Sequence, residues 1–303
     1  MQNAEKIAAL KRELREIIGS GTAHGINMVL AETKEGDLEK ILLRKDELRV
    51  AVIQTITVKA REFTNRFLNE EVPSDYNYSS EYKPKSLSEQ IEILKELFGD
   101  MGQANQSLLV QIETNRVSLP EGAEGWFAIP NWIKKPEIFG ENYAKALYKV
   151  LNKIKLTKNG NFINFRNRKL GPEYLQPSAR SVAFFRALSV EQDDPNIVIV
   201  PAQFGLLHRG RSYRRTQEML KRKEFCLDAF SNGIMLLTHP NRLKEIENLR
   251  IVCADEYHPY GEVTQDLLQS PVFRLCTDDV VEFSVVSVDK PHERYGSSTG
   301  FII

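Results

Sequence analysis

The segment Gln203-Phe-Gly-Leu-Leu-His-Arg-Gly-Arg-Ser-Tyr-Arg-Arg215 gathers Arg209, Arg211, Arg214 and Arg215 around Gly205, Gly210 and Ser212, ahead of a predicted helix that Ser212 could cap. A helix N-terminus is already electropositive, so cations there call for a negative partner. The two glycines allow backbone N–H groups to approach a ligand, and arginines at a helix start make a ready anion site. The pattern is neither GxxxxGKS/T nor GxGxxG, so it specifies no known phosphate loop. Two partners fit: a phosphate-bearing ligand, or the protein's own carboxylates from its acidic C-terminal segment.

A second basic stretch comprises Lys145, Lys149, Lys153, Lys155, Lys158, Arg166, Arg168 and Lys169, with Phe162, Phe165 and Tyr174 interleaved. Lys145, Lys149 and Lys153 are four apart and share one helix face. Rows of cations attract phosphate backbones, and aromatic rings accept unpaired bases by stacking. A solvated helix face is the plainer alternative.

A third set stands where three predicted strands end: His208, then His239, then Asp255, Glu256 and His258. Ligands bind beyond the carboxyl ends of strands in open parallel sheets. Asp255, Glu256, His239 and His258 could there hold a divalent metal whose Lewis acidity would assist phosphoester hydrolysis. Turn and helix-start roles for the two histidines compete with that reading. Nucleophilic catalysis has less support, because GxSxG is missing and Cys226, Cys253 and Cys276 sit in apolar runs where no thiolate is favoured.

The elements that must position these groups follow from periodicity. Ile7, Leu10, Leu14 and Ile17 mark an amphipathic helix at near-heptad spacing, a candidate for self-association. Residues 38–70 read as a long helix, although Val50, Val52, Ile53, Ile56 and Val58 also approach strand alternation. Pro73 to Pro84, polar and Tyr-rich, reads as an exposed linker near 73–85. A helix restarts at Ser86 or Ser88 and runs to about Arg116. Helix over 142–156, strand over 197–200, helix over 213–230, strand over 234–237, short helix over 241–248 and strand over 249–253 then predict a partly parallel sheet. Further strands follow at 273–275, 280–288 and 301–303. The expected fold is α+β, with a mainly helical region over 1–118 and a mixed α/β domain over 119–303.

Composition agrees with a globular chain: 303 residues, 42% apolar and 27% charged, with 17 Gly, 13 Pro and 3 Cys, which excludes disordered, collagenous and disulfide-scaffold classes. The 41 basic and 41 acidic residues cancel overall but not locally: Lys134 to Lys223 holds 19 basic and 7 acidic residues, and 251–303 holds 3 and 9. No secretory signal or spanning segment is recognised, so a soluble cytoplasmic protein with no membrane partner is expected. The leading expectation is non-enzymatic nucleic-acid or polyanion binding through 134–223, without cofactor. A metal-dependent phosphoesterase or nuclease, and a structural or interaction module with internally neutralised charges, are the alternatives.

Overall fold

The computed structural model describes residues 51–56, 66–258, 268–276 and 279–303. Contacts divide the chain into two units, 1–64 and 65–303. Of the first, residues 51–56 are described and are helical; the helix expected over 3–18, with its self-association surface, and most of that over 38–70 lie outside the described residues. The second unit runs α1 (Leu87–Phe98), α2 (Gln106–Glu113), β1 (Gly125–Pro130), α3 (Pro136–Phe139), α4 (Tyr143–Thr157), β2 (Phe162–Asn164), β3 (Leu175–Pro177), α5 (Ala179–Glu191) and β4 (Ile197–Gln203). It continues with α6 (Tyr213–Met219), β5 (Glu224–Cys226), α7 (Ala229–Thr238), β6 (Arg250–Val252), β7 (Asp255–Tyr257), β8 (Gln269–Leu275), β9 (Val281–Ser287), β10 (Tyr295–Ser297) and β11 (Thr299–Phe301). The chain is α+β, with helices set against two sheets that mix parallel and antiparallel pairing.

One sheet has the order β1-β4-β11-β5 and is antiparallel throughout. The other has the order β10-β6-β8-β7-β3, with β9 beside β8 and β2 beside β9. Its parallel pairs are β10 with β6 and β2 with β9. The run 234–237, read as a strand, is instead the second half of α7, so the strand-helix-strand-helix-strand order is not realised and β4 and β6 belong to different sheets. The physical reason is local. Asp228 caps this helix by accepting the Ser231 N–H at 2.7 Å, and all ten helical residues are buried. A short run buried all round has no period to distinguish helix from strand.

Gly233, which read as part of a helix stop, lies inside α7 because α4 crosses there: a Cβ would come within 2.5 Å of a Val150 methyl. The helix read from 213 to 230 ends at Met219, and the chain turns into β5 before α7 begins. Helix α1 starts at Ser86, whose hydroxyl accepts the Glu89 N–H while the Glu89 carboxylate accepts the Ser86 N–H. The helix read over 241–248 is reduced to a 3-10 turn over Pro240–Leu243. Among the described residues no helix is long and apolar enough to cross a membrane.

The stretch 73–85 has no regular structure, as read, but it is a strap on the core rather than a free linker. The Tyr78 hydroxyl donates to Glu124 at 2.5 Å and accepts the Leu206 N–H at 2.9 Å, while the fully buried Arg242 guanidinium lies 3.8 Å over the Tyr78 ring. Burial is the largest influence on Glu124 and pushes its carboxyl above the ordinary range; burial pulls Arg242 down.

The two sheets are tied where Gly205, after β4, meets Gly296 in β10. A Cβ on Gly296 would stand 2.4 Å from the Gly205 carbonyl oxygen, and one on Gly205, whose φ is +131°, would stand 2.7 Å from the Gly296 oxygen. Backbone on both sides leaves nothing flexible to give way. Gly296→Ala is therefore expected to lower unfolding free energy by about 2–4 kcal/mol. Gly160→Ala, also at positive φ (+89°) but with open space around it, should cost about 1 kcal/mol, the backbone contribution alone. Urea denaturation of both variants checks the contrast.

Candidate functional site

The arginine loop is neutralised from within. Arg211 Nε donates to Glu71 at 2.8 Å, Arg215 bridges Glu71 at 2.7 Å and Glu218 at 2.8 Å, and Arg214 clasps Glu70, with Asp289 at 3.9 Å. Ser212 caps α6 through the Arg215 N–H and donates its own hydroxyl to Glu70 at 2.7 Å. Arg209 donates to the Tyr76 carbonyl at 3.3 Å. Glu70 and Glu71 are thus the principal counterions, and the acidic C-terminal segment contributes Asp289. Burial pushes the Glu71 carboxyl up, but hydrogen bonds and charge from Arg211 and Arg215 outweigh it and hold it below the usual range. Glu218 is likewise lowered, by Arg215 and the backbone N–H groups of Phe67 and Arg66, against the opposing effect of burial.

The network continues inward through a histidine. Arg211 lies 3.0 Å from His208 Nδ1, and because arginine can only donate, Nδ1 must accept. The proton therefore sits on Nε2, which donates to the buried Glu224 at 2.7 Å. Glu224 also accepts the Thr299 hydroxyl at 2.7 Å. Burial pushes Glu224 up, yet His208 and Thr299 hold it below its ordinary value. His208 is a structural relay between the loop and β11.

The proposed metal ligands are not brought together. His239 follows a helix rather than a strand; its Nε2 accepts the Lys85 N–H at 2.9 Å, which occupies the lone pair a metal would need. Burial lowers its pKa to about 4. Asp255 is fully buried and accepts the Tyr143 hydroxyl and, at 2.5 Å, the Ala229 N–H. Glu256 lies in β7 opposite Gln176, and His258 is buried with its N–H on the Tyr174 carbonyl at 2.7 Å. Among the described residues no group of three or more His, Cys, Asp or Glu could hold a metal ion. Cys226 and Cys253 are buried free thiols, and burial raises Cys226 to about 12, so neither offers a thiolate.

The lysine helix keeps its charge exposed. Asn142 caps α4 by accepting the Lys145 N–H, and Tyr143, Ala146, Leu147, Val150, Leu151 and Ile154 bury one face. Lys145, Tyr148, Lys149, Lys155 and Leu156 remain outside. After the turn at Asn159 and Gly160, β2 turns Phe162 into the core and leaves Ile163 44% and Phe165 51% exposed. Arg166 packs 5.3 Å over the Tyr257 ring, Arg168 is exposed, and Lys169 lies 5.5 Å over Tyr174.

Residues 142–172 hold all eight of these cations and no Asp or Glu. Among the described residues Lys145 alone of the eight meets a carboxylate, Glu141 at 3.1 Å, in an exposed pair of the kind that contributes little. Lys149 donates to the Ile138 carbonyl, and Lys153 lies 5.7 Å over the Phe98 ring. Phe162, read as an interleaved stacking ring, is core; Tyr148 and Ile163 are exposed members that the sequence reading passed over. Their signal was positional: Tyr148 stands beside Lys149 on the polar face of α4, and Ile163 alternates with buried Phe162. Comparison with protein-family models, with curated proteins and with solved structures gave no match.

The buried His239 sets a pH response. Its folded pKa, about 4, lies below the ordinary histidine value of 6.5, so the unfolded chain binds the proton first and stability falls as pH drops from 6.5 toward 4. His239→Gln should make that decline shallower, read as the difference in melting temperature between wild type and variant at each pH. Equal slopes would show that the ring titrates freely.

Proposed function

We propose that the protein binds single-stranded nucleic acid along the surface formed by α4, β2 and the turn that follows. The observation that carries this reading is the charge of 142–172, eight cations without a carboxylate, among which Tyr148 and Phe165 are about half exposed. Phosphates are drawn to such a field by counterion release, and this attraction is independent of sequence. Exposed rings have no use against a closed duplex but give unpaired bases a stacking surface, at about 1–3 kcal/mol per base. Arg211, Arg214 and Arg215 take no part, since their guanidinium groups already hold carboxylates.

The test is fluorescence anisotropy of labelled single-stranded and duplex oligonucleotides over a range of salt. Replacing Lys155, Lys158 and Lys169 together by Gln should weaken binding and reduce the slope of log affinity against log salt by about 2, at roughly 0.7 per phosphate contact on single strands. Phe165→Ala should weaken binding by about 1–3 kcal/mol and leave the slope unchanged. Arg211→Ala should destabilise the fold and leave the slope unchanged. Absence of binding at low salt, or a slope indifferent to the triple substitution, would sink the proposal.

A further inference from the structure

At the N-terminal end of α7 lies a cavity of about 210 Å³ whose walls include four aromatic rings, Trp132, Tyr143, Phe185 and Phe230. Asp228 lines it as well. Its carboxylate accepts the Ser231 N–H at 2.7 Å, and among the described residues it forms no ion pair. Directly behind, the fully buried Asp255 receives the Tyr143 hydroxyl and the Ala229 N–H, again without a cation. The Tyr143 hydroxyl in turn accepts the Phe230 N–H at 3.3 Å, which fixes two of the walls relative to the carboxyl groups. Burial pushes both aspartates above their ordinary range, and for Asp255 the neighbouring charge of Asp228 adds to it.

Two cations line the cavity as well: Lys134, engaged by Asp194 at 2.5 Å, and Arg186, which is exposed to water. A carboxylate set among several aromatic rings is a combination that receives an ammonium group, through Coulomb attraction and cation–π contact together. We propose that this cavity binds a small organic ammonium ion, with its charged head on Asp228 and its apolar body against Trp132, Phe185 and Phe230. The site is independent of the lysine face of α4 and stands or falls without it.

The cavity wall contains Trp132, one of two tryptophans in the chain, so intrinsic fluorescence of the full-length protein reports occupancy, and titration calorimetry confirms it. Three probes share a phenylethyl body: phenethylamine, 2-phenylethanol and 3-phenylpropionate. Phenethylamine is expected to bind about tenfold more tightly than the alcohol, the effect of one desolvated charge–charge and cation–π contact. The anion is expected to bind least well. Asp228→Asn preserves the helix cap, since Asn and Asp cap equally, and should abolish the preference for amine over alcohol while leaving alcohol affinity unchanged. Should that variant unfold, Phe185→Ala gives the second reading, with weaker binding of amine and alcohol alike. Equal affinity of wild type for amine and alcohol, tighter binding of the anion, discrimination surviving in Asp228→Asn, amine affinity unaffected by Phe185→Ala, or no binding of any probe at millimolar concentration would each overturn the proposal.

Discussion

Two adjacent carboxylates, Glu70 and Glu71, hold the arrangement together. They stand at the start of the 65–303 unit and clasp Arg211, Arg214 and Arg215 some 140 residues further on. Arg215 is almost wholly buried, so its charge would be very costly without them. The same clasp sets the position of Arg211, which fixes the His208 tautomer, which in turn holds Glu224 against β11. It also anchors the chain as the strap begins, through the Val72 N–H on the Gly210 carbonyl at 2.8 Å and the Ser212 N–H on Glu70 at 3.0 Å. Removing Glu71 would take a partner from both Arg211 and the buried Arg215, and removing Glu70 would leave Arg214 with Asp289 alone.

This clasp decides which basic residues can act outward. A guanidinium held in two directions by carboxylates has little field left for a ligand, whereas an ammonium on a helix with no acid in reach keeps its own. The chain thus divides its positive charge into a structural portion on the loop after β4 and, among the described residues, a portion almost without carboxylate partners on α4 and the turn after β2. The neutral total of the whole sequence conceals this division, because Glu70, Glu71 and Asp289, which compensate the loop together with Glu218, lie outside the basic middle.

Much of the scaffold was legible. The periodicity of 142–156 gave α4 nearly to the residue, and the β-branched run at 197–200 gave β4. The basic face of α4 followed from lysines four apart. What escaped reading was whatever depended on distant partners. The run 234–237 carries no period because every side is buried, and Gly233 reads as a stop unless Val150 is known to lie against it. Glu70 and Glu71 were not singled out, since nothing local reveals that they face arginines across the fold. His239 and Asp255 have the side chains of metal ligands, but the Lys85 N–H and the Tyr143 hydroxyl occupy the atoms concerned. The cavity was hidden for the same reason: Trp132, Tyr143, Phe185 and Asp228 come from separate elements that only tertiary packing joins.

Strand β11 lies between β4 and β5, while β10, one residue earlier, pairs with β6 in the other sheet. During synthesis β4 and β5 therefore emerge long before the strand that separates them, with facing edges that have nothing to pair with. Such open edges are templates for unwanted strand addition. Closing them late, through contacts distant in sequence, slows folding. Residues 295–301 thus stitch the two sheets together, and until they emerge the edges of β4 and β5 stay open.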